Sequence, residues 1–497
     1  MTTLTLHMRG ANGTRYVFRS VNKVPTDLVE EFEGTPIQAI LQDQISSFHP
    51  SGAPVAARLL DAVGVLHTDP KYVVVPDDPR LAEFRGMLAL FEERPDDGLD
   101  GTAGFAGSRQ IVQLEELFDI LEAEPESRVD VVDLLRARMV DLLVGDRDRS
   151  RNNHLWARIE DGDGSRWRVI PRDRDHAFVR FDGVLKALAR AYEPRLVSFS
   201  DVYPNIAAAT RNAWDIDRNL LVTVDRATWL SVVRDVQRLL TDEVIANAAR
   251  QMPPEHFEIF GEELTRSLRL RRDHLPVAAQ HLYEIVFGHA DMHATDEAEQ
   301  FTITRLPGGA VTLTFGAIDG SVTRFTRTFE SDETSEIRLY MQGGDDLVVL
   351  SGPQSPILLR LIGGGGSDRF EGDGRGSIIY DRVEDSEYAE GLGARLEDRR
   401  APRPYSWFNQ VTLSPTVSFG DGGEKYFEIG PIYRYTSTDT ATVDQSYIAD
   451  TDPYGSGKFT QVGLRASFQV DTRDRVGTPG SGVFVAGGGN AYPQLFD

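Results

Sequence analysis

The chain has 497 residues, no cysteine and a formal net charge of -24 at pH 7. The absence of cysteine excludes disulfides, thiolate metal ligands and cysteine nucleophiles. The acidic balance argues against a nucleic-acid-binding protein, because such proteins present a basic face to the phosphate backbone. No apolar run approaches the roughly 20 residues of a membrane helix. The first residues lack the charged and apolar regions of a signal peptide, so we expect either a cytosolic protein or a missing N-terminal segment.

Residues 1–95 are predicted to form strands with one helix between them. The run LTLHMRGANGTRYVFRS contains two alternating segments joined by Asn12 and Gly13, a pair that favours a β-hairpin. Apolar residues recur at helical spacing over 36–48. The runs YVVVPDD and GMLALFEERP read as two further strands.

Residues 96–290 are predicted to be mostly helical. The runs LEELFDILEAEP and VDLLRARMVDLLVG are amphipathic at a period of about 3.6 residues. Between the helices lies a hairpin-like pair, NHLWARI and SRWRVIP, separated by the turn-rich EDGDG.

Two polar loops in this region contain the groups that phosphoryl transfer requires. They are GDRDRSRNNHLW at 145–156 and VIPRDRDHAF at 169–178. One carboxylate orients the attacking hydroxyl, while an asparagine and a second carboxylate hold Mg²⁺ on the phosphates. The alternative interpretation is a pair of solvated charged loops with structural arginine–aspartate pairs.

The first loop resembles the D-x-H-x-x-N catalytic loop of atypical kinases of the HipA, CotH and phosphatidylinositol-kinase-like groups. The second, IPRDRDHAF, is similar to the P-W-D-x-D-x-A-F metal loop of the spore-coat kinase CotH. The resemblance implies that Asp148 is the catalytic base, with Asp146 as the second candidate. It also implies Asn153 and Asp173 as Mg²⁺ ligands, assisted by Asp175.

The same resemblance makes residues 1–95 the small lobe, with ATP and Mg²⁺ bound between the lobes. Gly10 and Gly13 lie where a phosphate-covering turn belongs, and LALFEERP resembles the hinge that meets adenine. Arg19 stands where the family has a nucleotide-binding lysine, Asp43 where its partner is usually glutamate, and Ser150 where the catalytic loop has histidine. These departures leave two alternatives, an active phosphotransferase or an inactive kinase-like recognition module.

Residues 295–400 have the pattern of short strands between glycine- and aspartate-rich turns. GGDDLV at 343–348 echoes GGSDRF at 365–370, which predicts an internal repeat. GGGGSDRFE at 363–371 fits the nonapeptide of calcium-binding β-rolls, in which Asp368 would be a ligand. Calcium needs consecutive repeats, and only one full and one shortened repeat occur, so the interpretation favours tight β-turns without calcium. His289 and His293 are expected at the surface.

Residues 405–497 alternate between apolar and polar side chains over long runs. In QVGLRASFQVD, Val462, Leu464 and Phe468 share one face. Strands of about ten residues with one apolar face suit a transmembrane β-barrel, and a soluble β-sandwich is the alternative. A bacterial barrel needs at least about eight strands and roughly four are recognisable here, so we expect the barrel to continue beyond this chain.

The segment DTRDRVGTPGSGVFVAGGGNAYP resembles the strand pair around the D-T-R-D and P-T-R-G motifs of BamA/TamA outer-membrane proteins. The run 471–474 matches the first motif, and Gly477, Thr478, Pro479 and Gly482 match the turn, with serine in place of arginine. The resemblance implies a bacterial outer-membrane location with the N-terminal part in the periplasm. It also implies contact with outer-membrane lipid and with other envelope proteins.

The sequence therefore predicts an α+β multidomain chain: a bilobal kinase-like domain (1–95 and 96–290), a β-rich connector (295–400) and a partial antiparallel transmembrane β-barrel (405–497). A cytoplasmic, soluble atypical kinase with a β-sandwich tail is the competing class. A structural surface protein whose acidic loops bind no metal is the third.

Overall fold

A computed structural model describes most of the chain, and the described residues have a mixed α/β fold with several sheets. They group into two compact units, one of residues 1–379 with 384–396 and one of residues 380–383 with 397–497. The predicted helix at 36–48 lies outside the described residues. The described ranges are 4–11, 13–21, 49–98, 103–161, 164–180, 197–203, 205–380, 395–396, 408–420, 425–438, 458–471 and 484–491.

The first unit begins with a four-stranded antiparallel sheet in the order β1-β2-β4-β3. Its strands are β1 (Thr5–Arg9), β2 (Arg15–Ser20), β3 (Lys71–Val74) and β4 (Leu88–Glu93). The predicted hairpin is confirmed: the Gly10 N–H donates to the Thr14 carbonyl at 2.8 Å, and Gly13 has φ +85°. Helix α1 (Gly52–Val63) ends at Gly64, which adopts the left-handed conformation.

The predicted helical region contains seven further α-helices of five or more residues among the described residues. They are α2 (Leu114–Ala123), α3 (Val131–Val144), α4 (Ile206–Thr210), α5 (Trp214–Leu220), α6 (Arg226–Leu239), α7 (Asp242–Ala249) and α8 (Glu262–Phe287). Side chains of α1, α3, α6 and α8 share one hydrophobic core. The predicted hairpin of β6 (His154–Asp161) and β7 (Gly164–Pro171) is confirmed, and β5 (Gln110–Val112) extends it.

Helix α3 differs from the predicted amphipathic helix because its polar residues are also buried. Asp133, Arg138 and Asp141 are each at most 2% exposed. Periodicity assigned these residues to a solvated face, but the surrounding elements enclose the helix and the charges form ion pairs instead.

After α8 the chain forms a roll of two five-stranded sheets. Strands β8 (His289–His293), β12 (Glu336–Tyr340), β14 (Leu358–Ile362), β16 (Ser377–Tyr380) and β17 (Arg395–Leu396) form one sheet. Strands β9 (Glu299–Arg305), β10 (Val311–Ala317), β11 (Thr323–Phe329), β13 (Leu347–Ser351) and β15 (Arg369–Gly372) form the other. Because β12 is parallel to β14 and β13 is parallel to β15, the repeat is confirmed as two stacked rungs.

The loose spacing of the histidines predicted that His293 lies at the surface. In the structure its side chain is not free there. Its ring stacks on Tyr340 with centroids 4.5 Å apart, and its Nδ1 lies 3.3 Å from Nε2 of Gln342. Burial lowers the pKa of His293 to about 4. His289 is half-buried at the start of β8.

The second unit contains one antiparallel sheet. Its strands are β18 (Phe408–Leu413), β19 (Val417–Gly420), β20 (Lys425–Thr438), β21 (Lys458–Asp471) and β22 (Phe484–Ala491). Phe427 is paired with Phe468 and Tyr433 with Val462, which places the alternating apolar side chains on one face, as predicted. Asp471 ends β21, and the rest of the D-T-R-D motif with its turn lies outside the described residues. Throughout the described part of the chain, every helix is too short or too polar to cross a membrane.

Candidate active site

The first polar loop leaves α3 at a fixed point. Gly145 has φ +68°, and its N–H donates to the Leu142 carbonyl at 3.1 Å. The buried Arg271 guanidinium donates to the carbonyls of Leu142 at 2.7 Å and Leu143 at 2.8 Å. Because the last carbonyls of a helix lack intrahelical partners, these bonds from Arg271 and from the Gly145 N–H together set the direction of the loop.

Asp146, the second candidate base, is a buried anchor of this loop. Its Oδ2 lies 3.1 Å from Nη1 of Arg174 and 3.3 Å from Nε of Arg149, and its Oδ1 accepts the Asp148 N–H at 3.2 Å. Both of its oxygens are therefore engaged in holding the loop. This arrangement favours Asp148 over Asp146 as the base.

A buried network of charged side chains lies next to the first polar loop. Arg138 donates to Asp217 at 2.8 Å and to Asp141 at 2.6 Å, and Arg174 pairs with Asp141. Burial by itself raises the pKa of Asp141, but Arg174 and Arg138 hold this pKa well below its usual range. Asp141 is therefore ionised at neutral pH, and its position is set by two guanidinium groups.

Asp148 and Asn153, the predicted base and metal ligand, are joined directly. The Asn153 side-chain Nδ2 donates to the Asp148 backbone carbonyl at 2.6 Å. Because the nitrogen end of the amide is engaged in this way, its oxygen is the end that remains for a metal. The Asp148 side chain is 35% exposed, so a substrate hydroxyl has access to it.

The second loop, 172–176, is held against the first by Arg149. Its Nη1 donates to the Arg172 carbonyl at 2.8 Å and its Nη2 donates to the Asp173 carbonyl at 2.6 Å. The Arg172 N–H donates to the Asn153 carbonyl at 2.9 Å. These bonds place Asn153 and Asp173 in adjoining loops, as predicted.

Asp173 adopts an uncommon backbone conformation, with φ +51°, and lies at the surface of its loop. Left-handed backbone at a residue other than glycine costs free energy and is concentrated at functional sites. Asp175, the predicted assisting ligand, is half-buried in the same loop.

His176 is a neighbour of Asp148 that sequence reasoning missed. Its Nε2 lies 3.9 Å from Oδ2 of Asp148, and its Nδ1 accepts from Nε of Arg147 at 3.3 Å. The Nε2 therefore carries the proton and faces the carboxylate. Burial lowers the pKa of His176, so the ring is neutral at pH 7. Ser150 stands where the D-x-H-x-x-N loop that the first loop resembles has histidine, and the second loop supplies a histidine nearby.

Arg19, the predicted nucleotide contact, belongs to a charged cluster on the four-stranded sheet. Its Nη1 lies 3.6 Å from Oε1 of Glu92 in β4. Burial lowers the pKa of Arg172, and the charges of Arg19 and Arg94 lower it further. Arg172 directly precedes Asp173 in the second loop. Asp43, the predicted partner of Arg19, lies outside the described residues.

The predicted hinge LALFEERP is largely an interior strand. Residues Ala89–Phe91 of β4 pair with both β2 and β3, so their backbone groups lie between two neighbouring strands. Because these backbone groups are paired on both sides, only the residues after β4 could contact adenine through their backbone. Gly10 and Gly13 form the β1–β2 turn, as predicted.

The donor set determines which metal would fit. Among the described residues, no group of three or more histidine, cysteine, aspartate or glutamate side chains is arranged to hold a metal ion. Mg²⁺ needs fewer protein ligands, because it commonly binds one or two carboxylates together with substrate phosphates and water. The Asn153 amide oxygen and the exposed Asp173 carboxylate fit that mode of binding.

No protein-family model and no curated protein matches the chain. Among solved structures it is similar to the Helicobacter pylori proinflammatory kinase CtkA, with a TM-score of 0.31 and 11% identity over 56% of this chain and 94% of that one. It is also similar to the HipA–HipB toxin–antitoxin complex with operator DNA of Shewanella oneidensis MR-1, with a TM-score of 0.30 and 11% identity over 57% of this chain and 66% of that one. At these TM-scores the likeness does not assign a function.

Proposed function

We propose that residues 1–290 are an atypical-kinase phosphotransferase domain that binds MgATP between the four-stranded sheet and the loops at 146–153 and 172–176. The observation that carries this proposal is the joining of Asp148, Asn153 and Asp173 by the Asn153 side chain and by Arg149. A partly exposed carboxylate next to two residues that could hold Mg²⁺ is the arrangement that in-line phosphoryl transfer needs.

In this proposal Asp148 takes the proton of the acceptor hydroxyl. The hydroxyl oxygen then forms a bond to the γ-phosphorus, while the bond from that phosphorus to the bridging oxygen of ADP breaks. Asn153 and Asp173 would hold Mg²⁺, which neutralises charge on the phosphates when it is bound. Arg19, with Arg172 beside it, would place positive charge near the phosphates.

The test is calorimetric titration of the full chain with ATP in the presence and absence of Mg²⁺. We expect Mg²⁺-dependent binding that Asp173→Ala abolishes. Asp148→Asn should retain binding and lower turnover of γ-labelled ATP to ADP by at least about 100-fold. Asp235→Ala, a change at an exposed position of α6, is the matched control. The absence of MgATP binding by the parent chain would refute the proposal.

An inactive recognition module remains the alternative for the same domain. Ser150 and Arg19 replace the usual histidine and lysine, and a periplasmic location would offer little ATP. Binding of MgATP with equal, negligible turnover in the parent chain and in Asp148→Asn would favour this alternative.

We further propose that the sheet of the second unit contacts acyl chains of the bacterial outer membrane, as part of a BamA/TamA-type barrel with the first unit in the periplasm. The support is a continuous apolar face. Leu413 is 59% exposed, Phe419 58%, Val462 50% and Leu464 50%. Side chains of opposite character, including Glu428, which accepts from Ser467 at 3.0 Å, occupy the other face. Contact with other envelope proteins would follow from that location.

Flotation of the full chain with phospholipid vesicles tests the lipid contact. Leu464→Arg should reduce the vesicle-bound fraction, because a charge on the lipid face costs about 2–4 kcal/mol at mid-depth. Gln461→Arg, on the polar face of the same strand, should leave it unchanged. A soluble parent chain that does not float would instead favour the cytoplasmic kinase with a sandwich tail.

A further inference from the structure

Two glycine-rich turns are stacked at one edge of the roll. The turn 341–346 joins β12 to β13, and the turn 363–368 joins β14 to β15 one rung further on. The Gly365 N–H donates to the Gln342 carbonyl at 2.6 Å, and the Arg369 N–H donates to the Asp346 carbonyl at 2.8 Å. The shortened sequence repeat and the full one are therefore neighbours in space.

This stacking aligns carboxylates from three successive rungs. Asp368 accepts the Asp346 N–H at 3.1 Å, and Asp346 in turn accepts the Glu299 N–H at 2.8 Å through Oδ1. Asp346 is 1% exposed, Asp368 5% and Glu299 0%. Glu299 is neutralised by Arg324, whose Nη1 lies 2.7 Å from its Oε1.

The second oxygen of Asp346 lacks a partner. Its Oδ2 is buried and has no hydrogen-bond partner. Burial, followed by the charges of Asp368 and Glu299, raises the pKa of Asp346 to about 8. A buried carboxylate oxygen without a partner costs free energy, so the site favours the binding of a positive charge at this position.

We propose that a Ca²⁺ ion binds between the two stacked turns, with the carboxylates of Asp346 and Asp368 as its protein anions. Ca²⁺ accepts six to eight oxygen ligands in flexible geometry, including backbone carbonyls, whereas Mg²⁺ requires a stricter octahedron. Two carboxylates beside a glycine-rich backbone therefore suit Ca²⁺ better than Mg²⁺. The sequence interpretation favoured turns without calcium because one repeat is short, but the structure places the two acids in consecutive turns.

Thermal unfolding of the full chain, with added CaCl₂ or MgCl₂ or with a chelator, tests this proposal. We expect saturating Ca²⁺ to raise the Tm by at least about 3 °C over the chelated protein, and Mg²⁺ to raise it less. Asp346→Asn should abolish the Ca²⁺ shift. Asp319→Asn, in an exposed turn of the same roll, should retain it.

Two further measurements separate this site from the kinase-like site and from misfolding. Asp173→Ala should keep the full Ca²⁺ shift, because that residue belongs to the other site. Circular dichroism should show that Asp346→Asn is folded without calcium, and Asp368→Asn serves as a second variant if it is not. A parent chain whose Tm is the same in Ca²⁺ and in chelator, or an Asp346→Asn protein with an undiminished shift, would overturn the proposal.

Discussion

The Arg149 guanidinium lies 2.6 Å from the Asp173 carbonyl oxygen and joins the two loops of the candidate active site. Arg149 is 1% exposed, and the same group pairs with Asp146 in the first loop. A planar guanidinium can serve these partners together, whereas a lysine ammonium cannot reach them all. In the proposed site Arg149 would therefore position Asp173, because it is buried and bonds to the Asp173 backbone.

Replacing Arg149 by lysine should therefore lower the affinity for MgATP while leaving the fold largely intact. We expect Arg149→Lys to lower MgATP affinity by at least about tenfold, because Asp173 loses its backbone anchor. Titration calorimetry measures the affinity, and circular dichroism checks the fold. Arg166→Lys, at an exposed position of β7, is the control and should bind as the parent does. Unchanged MgATP affinity in Arg149→Lys would show that Arg149 does not position Asp173.

The buried pair of Arg138 and Asp217 predicts a large stability effect. Asp217→Ala leaves the Arg138 guanidinium with fewer partners in the core and should cost about 3–5 kcal/mol of unfolding free energy. The half-exposed pair of Arg151 and Asp215, at 2.7 Å, provides the contrast. Asp215→Ala should cost about 1 kcal/mol or less. Urea denaturation measures both, and equal losses would contradict the assignment of the buried network.

His293 predicts a loss of stability in acid. Its pKa is about 4 in the folded chain and about 6.5 when unfolded, so the unfolded state binds more protons between these values. Its contribution is fully present above about pH 6.5 and is lost as the pH falls through about 4, on the order of 3 kcal/mol.

His293→Gln should flatten this part of the stability profile. Urea unfolding between pH 4 and pH 7.5 measures the slope, and His281→Gln, at an exposed position of α8, should leave it unchanged. A His293→Gln profile as steep as that of the parent would show that other groups cause the acid sensitivity.

Glycine substitutions in the roll should differ by position. Gly366 has φ +105°, and a Cβ there would overlap the Gly344 carbonyl oxygen of the neighbouring turn. Gly320 has φ +74° and open space around it. Gly366→Ala should therefore lower the unfolding free energy by more than about 3 kcal/mol, and Gly320→Ala by about 1 kcal/mol. Chemical denaturation of both variants checks the order.

Local patterns were sufficient to predict several elements. Asn12 and Gly13 indicated the β1–β2 hairpin, and the period-two alternation around Phe468 indicated which side chains share a face of the last sheet. Both predictions rest on backbone conformation and strand geometry, which depend on neighbouring residues. The candidate residues Asp148 and Asn153 were likewise recognisable from their spacing within one loop.

Only the tertiary structure decided which charged residues are structural. Asp146 and Asp148 look equivalent in sequence, yet Asp146 is buried between Arg149 and Arg174, whereas Asp148 is partly exposed. The sequence repeat related Asp346 to Asp368, but the burial of both carboxylates follows only from the pairing of β13 with β15. Burial and ionic partners arise from distant segments of the chain, so no local pattern contains them.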